Sequence, residues 1–85
     1  MGLEMVEIIM EIEERYDITL DENDAPDLRT FGDCVEAVHR EVNRTREATM
    51  EEVEEGLRII FCEQMWLKPE KVRWESDLKK DLGIG

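Results

Sequence analysis

The fold class of this chain is decided by the stretch TMEEVEEGLRIIFCEQMWL, residues 49–67. Thr49 and Glu52 form a capping box, in which each side chain accepts the backbone N–H of the other residue at the start of a helix. The apolar residues that follow recur at helical spacing: Val53, Leu57, Ile60, Phe61 and Met65. Because Lys68-Pro69-Glu70 ends this pattern, the stretch predicts an amphipathic helix over residues 49–67.

A second helix is predicted from a similar start signal earlier in the chain. Thr30 is of the residue type that caps helices, and Asp33 supports the first turn that follows it. The apolar positions then fall at i, i+4, i+7 and i+11: Phe31, Val35, Val38 and Val42. This helix is expected to end near Asn43.

A third helix is predicted over residues 3–16. The expected inward row, at helical spacing, is Leu3, Val6, Ile9, Met10 and Tyr16. Three further apolar residues widen this surface: Met5, Ile8 and Ile12. The other side is acidic: Glu4, Glu7, Glu11 and Glu14. A helix with so much apolar surface is expected to be contacted on more than one side.

The rest of the chain is organised as connecting segments. Residues 17–43 begin with a loop and a short turn, which lead into the helix that starts after Thr30. Residues 44–48 form a polar connector, and residues 68–85 form a loop. No strand-like alternation and no internal repeat is found along the 85 residues. The sequence therefore predicts an all-α fold, a small three-to-four-helix bundle that forms a single domain over residues 1–85.

Charge is the strongest compositional feature. The chain has 11 basic and 23 acidic side chains, and a net charge of −12. Residues 1–27 hold ten of the acids and a single arginine. This excess argues against binding to nucleic acids or anionic membranes, which require clustered Lys and Arg, and favours partners with basic patches. No apolar run is long enough to span a membrane, and two cysteines are too few for a disulfide framework, so a cytoplasmic protein is expected.

The reactive side chains form no recognisable catalytic or metal site. His39 has no nucleophile or pocket predicted near it, and Ser76 has no base beside it. A zinc site from Cys34, His39 and Cys62 lacks a CxxC pair. An acidic loop is similar to a calcium site only in composition, because Pro26 stands where glycine is needed. We therefore predict no catalytic residue, no metal site and a protein that is not an enzyme.

Taken out of order, four stretches resemble parts of the acyl carrier protein family. Residues 50–72 resemble the first helix of the family and the start of the following loop. Residues 74–78, followed by Asp81-Leu82-Gly83, resemble the approach to its Asp-Ser-Leu motif. Residues 3–18 resemble its second helix, and residues 28–35 its closing turn and last helix. The resemblance covers nearly the whole chain with the halves exchanged, which implies circularly permuted connectivity with the break at the prosthetic-group site.

The resemblance includes one departure that bears on the cofactor. The family carries 4′-phosphopantetheine on a serine directly before the leucine that matches Leu3. Here that position holds Gly2, near Asp81-Leu82-Gly83 in the permuted order, and glycine has no side-chain oxygen. Ser76 matches an earlier loop position, so no cofactor is expected. Three origins fit: a natural permuted relative, an engineered permutant, or a stretch that spans two tandem carrier units.

The resemblance also implies a docking surface and an apolar interior. In the family, an acidic second helix docks on basic patches of synthases and transferases, and the matching acids are Glu4, Glu7, Glu11, Glu13 and Glu14. The core or acyl cavity would be formed by Val6, Ile9, Met10, Val35, Leu57, Ile60 and Phe61. Trp66 and Trp74 are expected to cover the end of the bundle. We expect an acyl-carrier-like, non-enzymatic module that docks basic biosynthetic enzymes without a phosphopantetheine arm of its own.

Two alternatives stay open at this point. One is a true acyl carrier protein of fatty-acid or polyketide type, whose attachment serine was removed or lies outside these residues. The other is a homodimeric assembly module that exchanges helices between copies, because the cut in the carrier order leaves a long loop over residues 68–85 free.

Overall fold

Three α-helices and one 3-10 turn form the helical structure of residues 3–20 and 28–84, which the computed structural model describes. The elements are α1 (Leu3–Tyr16), α2 (Phe31–Val42), α3 (Met50–Met65) and the 3-10 turn Pro69–Lys71. The prediction of an all-α chain is confirmed over these residues, where extended backbone pairs only in an isolated bridge between Thr30 and Asp77. Gly2 and the acidic loop 21–27 lie outside the described residues.

The two predicted helix starts are confirmed by their hydrogen bonds. The Thr30 hydroxyl accepts the Asp33 N–H at 3.1 Å, and the Asp33 carboxylate accepts the Thr30 N–H at 3.1 Å. The Thr49 hydroxyl accepts the Glu52 N–H at 3.1 Å, and the Glu52 carboxylate accepts the Thr49 N–H at 3.4 Å. Each box satisfies backbone donors that a helix start leaves without intrahelical partners, so both starts are fixed by residues local in the sequence.

The end of α3 differs from the prediction. The helix ends at Met65 rather than at Leu67, because Trp66 has a left-handed backbone with φ 56°. The chain leaves the helical path there, and the 3-10 turn begins at Pro69, whose fixed φ suits a first helical position. Trp66 is 93% exposed, so the expectation that it covers the end of the bundle is wrong.

The core is centred on α3, which packs against both α1 and α2. The rings of Phe31 and Phe61 meet edge to face, with centroids 5.3 Å apart and planes at 84°. The remaining fully buried side chains come from all three helices and from the segment after α3: Ile8, Ile12, Val35, Val38, Val42, Val53, Leu57, Ile60 and Val72. The helices are thus held together mainly by apolar contact.

The inward row of α1 corrects the sequence expectation. Val6 is 42% exposed and Met10 is 60% exposed, so both were wrong as core residues. Met5, Ile8 and Ile12 are buried in their place, and Ile9 is partly buried. Both rows have helical spacing and apolar side chains, so periodicity alone could not choose between them. The choice is made by contact with α3, which lies distant in the sequence.

A pair of matched variants tests this orientation of α1. Ile8→Ala should lower the free energy of unfolding by about 2–5 kcal/mol, because it leaves a cavity in the core. Val6→Ala, two residues away on the exposed side, should change it by no more than about 0.5 kcal/mol. Urea unfolding followed by circular dichroism measures both. A larger loss in Val6→Ala than in Ile8→Ala would mean that α1 turns its other row inward.

The segment after α3 is fastened to the start of α2 by backbone hydrogen bonds. The N–H groups of Phe31 and Gly32 donate to the carbonyls of Ser76 and Trp74 at 2.9 and 2.8 Å, and the Leu78 N–H donates to Arg29 O at 2.8 Å. A Cβ on Gly32 would lie 2.6 Å from the Trp74 ring, so only glycine lets the ring lie so close. Buried side chains anchor the same segment: Val72, Leu78, Leu82 and Ile84. The loop predicted over residues 68–85 is therefore packed against the helices along its described part.

Candidate functional site

The outward face of α1 combines acidic and apolar side chains. Glu7, Met10 and Glu14 are spaced at i, i+3 and i+7, which places them on one side of the helix, and all three are exposed. Glu4 and Val6 are exposed as well, and Val6 lies one turn before Met10. An acidic face with accessible apolar groups can attract a basic surface over distance and exclude water on contact. We call these five residues the α1 face.

The other two predicted docking acids, Glu11 and Glu13, are less exposed than the α1 face. Glu13 is half-buried, and its carboxylate accepts the Leu20 N–H at 2.9 Å, so it fixes the chain that leaves α1. Glu11 is also half-buried. Val6 and Met10 were not predicted as surface residues, although the glutamates on both sides of Met10, at i−3 and i+4, were an available signal.

Gly2, which the resemblance matches to the attachment serine, and Ser76, which it matches to an earlier loop position, do not offer a free hydroxyl. Gly2 offers no oxygen for a phosphodiester. The Ser76 hydroxyl is buried, donates to Lys71 O at 2.8 Å and accepts the Arg73 N–H at 2.9 Å, so it serves the loop rather than solvent. Neither residue therefore suits 4′-phosphopantetheine.

The Asp81-Leu82-Gly83 segment is ordered by a turn around Asp77. The Asp77 carboxylate accepts the N–H groups of Lys80 and Lys79 at 2.8 and 2.9 Å, and these bonds lower its pKa below the ordinary value. Asp81 in turn accepts the Asp77 N–H at 2.7 Å, and Leu82 is buried. Gly83 has φ 69°, a left-handed conformation that favours glycine. The hydrogen bonds of Asp77 and Asp81 therefore give this segment a structural role in a turn.

Only some of the residues predicted to form the apolar interior are buried in the structure. Val35, Leu57, Ile60 and Phe61 are brought together in the core, Ile9 packs at its edge, and Val6 and Met10 face outward. A cavity for an acyl chain bounded by the buried residues stays a prediction.

The remaining reactive side chains have structural surroundings. The His39 ring nitrogen Nε2 lies 3.0 Å from Ala48 O, next to the connector between α2 and α3. Cys34 is buried, and burial raises the pKa of its thiol to about 12. Among residues 3–20 and 28–84, no group of three or more His, Cys, Asp or Glu side chains is arranged to hold a metal ion.

Arg58 makes several contacts that were not predicted from the sequence. Its guanidinium donates to Glu54 and Glu55 at 2.8 Å each and to Val72 O at 2.8 Å. Its central carbon lies 5.5 Å from the centre of the Phe31 ring, within the range of a cation–π contact. The pairs with Glu54 and Glu55 at i−4 and i−3 were a possible signal, whereas the bond to Val72 depends on the fold.

These features define a small all-helical protein with an acidic helix face, and none of the helices in its described part is long and apolar enough to cross a membrane. The chain is 35% identical over 41 residues to an acyl carrier protein of Exiguobacterium sibiricum. The match covers 48% of this chain and 52% of the relative, so the chain spans about half the length of the curated relative it matches. No protein-family model matches, and no solved structure matches. The similarity supports an acyl-carrier-like relation.

Proposed function

We propose that this chain is an acyl-carrier-like module, not an enzyme, that docks on basic biosynthetic enzymes such as acyl synthases or transferases. The observation that carries the proposal is the α1 face, where Glu7, Met10 and Glu14 line one exposed side of the helix that resembles the docking helix of acyl carrier proteins. The partial identity to an acyl carrier protein supports the same relation. Charge would guide the encounter, and Val6 and Met10 would provide the dry part of the contact.

The proposed connectivity is permuted relative to the carrier family. α1, α2 and α3 take the places of the family's second, last and first helices, and the loop after α3 takes the place of the long loop after its first helix. An alignment that keeps both sequences in order can match only the residues on one side of such a break. The observed similarity, which extends over 48% of the chain, agrees with this expectation. The connector between α2 and α3 would then join what are chain ends in the family, as permutation requires.

The proposed module carries no phosphopantetheine arm of its own, because Gly2 has no side-chain oxygen and the Ser76 hydroxyl is buried and hydrogen-bonded. Incubation with coenzyme A and a phosphopantetheinyl transferase, followed by intact mass measurement, should give the unmodified mass. The matched variant Gly2→Ser should gain one phosphopantetheine group, because it restores a hydroxyl before Leu3. Modification of the parent chain would instead support a true carrier, and peptide mapping would locate the serine or threonine used.

Salt dependence tests the docking. The association rate constant for a basic-surfaced acyl synthase should fall steeply as ionic strength rises from about 0.01 to about 0.15 M, because the screening length shrinks from about 30 to about 8 Å. Stopped-flow measurements across this range give the slope. A rate constant that is flat over the range would contradict docking through carboxylates.

A further inference from the structure

The solvent side of α3 carries an apolar strip that neither the core nor the α1 face uses. Ile59 on α3 is 43% exposed, and Trp66, seven positions further along the chain at the end of the helix, is 93% exposed. Cys62, half-buried, lies between them at i+3 from Ile59. We call Ile59, Cys62 and Trp66 the α3 strip. It lies on a different helix from the α1 face and does not depend on the proposed function.

The backbone at Trp66 sets this strip apart from scattered surface apolar residues. A left-handed residue that ends a helix is usually glycine, sometimes asparagine, because a Cβ is strained there. This chain places its largest side chain type at φ 56° and leaves it in solvent. Trp66 makes no contribution to the core that would explain the strain. Strained positions that lack a structural reason are concentrated at functional sites, and exposed tryptophan is typical of binding hot spots.

The charges around the strip indicate the kind of partner. The α3 helix carries five glutamates and one arginine, and that arginine, Arg58, is bound to Glu54 and Glu55. Glu51, Glu52 and Glu63 are exposed on the same helix. Lys68 lies two residues after Trp66, but the glutamates outnumber it, so the surface around the α3 strip stays acidic. A second copy of the chain would bring the same negative charge and a net charge of −12, so self-association is opposed by repulsion.

We infer that the α3 strip binds a cationic amphipathic helix, with Trp66 and Ile59 in contact with its apolar row and the α3 glutamates opposite its basic side chains. Such helices present anchors at i, i+3 or i+4, and i+7, and Ile59 and Cys62 lie at i and i+3 on α3 itself, with Trp66 at its end. The partner is therefore a protein segment, and Trp66 of this chain makes the main contact with it.

A synthetic helical peptide of leucine and lysine tests the inference, with a lysine-matched peptide of scrambled spacing as control. Trp74→Phe leaves Trp66 as the reporter, and its emission should shift to the blue when the amphipathic peptide binds. Trp66→Gly and Ile59→Gln keep the protein charge unchanged, and each should raise the Kd, measured by calorimetry, about tenfold or more. Trp66→Gly should also raise the denaturant midpoint, because glycine removes the strain at this position. A weaker affinity in a more stable protein cannot be ascribed to unfolding.

Several outcomes would overturn the inference. Equal affinity for the scrambled peptide, or unchanged affinity in both strip variants, would mean that binding is only electrostatic. An equal loss in the α1 variant Met10→Gln would place the peptide on the α1 face instead. A concentration-dependent dimer in light scattering that Trp66→Gly abolishes would make a second copy the occupant. The docking proposed for α1 is tested separately by the synthase association rate, which Trp66→Gly should leave unchanged.

Discussion

Replacing Glu4, Glu7 and Glu14 together by lysine should lower the association rate constant for a basic acyl synthase by about tenfold or more at low ionic strength. The three side chains are exposed on α1, so the change reverses the charge of the face that is proposed to meet the partner. Steering acts on the encounter before contact, so the loss should appear in the association rate more than in the dissociation rate. Stopped-flow kinetics at low and at moderate salt separates the two rates.

The chain offers a charge-matched control for this experiment. Glu36, Glu47 and Glu75 are also exposed but lie outside α1, and their replacement by lysine changes the net charge by the same amount. This control should lower the association rate constant much less, because it leaves the local field at the α1 face in place. If both triple variants slow association equally, the net charge of the protein and not the α1 face governs the encounter. Circular dichroism should show the same helix content in both variants.

The second large effect is expected in the core. Phe61→Ala should lower the free energy of unfolding by about 3–5 kcal/mol, because it removes a fully buried ring and its edge-to-face contact with Phe31. A domain of 85 residues has a total free energy of unfolding of only about 5–10 kcal/mol, so the variant should be close to unfolding at room temperature.

Ile59→Ala is the matched control, because Ile59 lies on the same helix two residues before Phe61 but is exposed. Its free energy of unfolding should change by no more than about 0.5 kcal/mol. Denaturant unfolding followed by circular dichroism and by calorimetry gives both values. A loss in Ile59→Ala comparable with that in Phe61→Ala would show that the solvent side of α3 is covered by another part of the chain.

The features that were predicted correctly from the sequence are local ones. The capping boxes at Thr30 and Thr49 involve residues three positions apart, so the residue types alone indicate the hydrogen bonds. The positions of the three helices follow from the same local signals and from apolar spacing. The acidity of α1 is likewise a property of composition.

The features that were missed depend on contacts between distant segments. Val6 and Ile8 both belong to rows with helical spacing, and only the packing of α1 on α3 decides which row is buried. The left-handed backbone at Trp66 could not be inferred, because a bulky residue rarely takes it. The hydrogen bonds from the start of α2 to Trp74 and Ser76 join residues more than forty positions apart and use backbone groups, which carry no sequence signal.

The central position of α3 has a consequence for how the chain assembles. Both helices that pack against α3 precede it in the sequence. The helices α1 and α2 therefore cannot bury their apolar rows until α3 is present. Helices of 14 and 12 residues are marginal alone in water. Folding should therefore be cooperative and nucleate around α3, and the backbone amides of α3 should be the last to exchange their hydrogens.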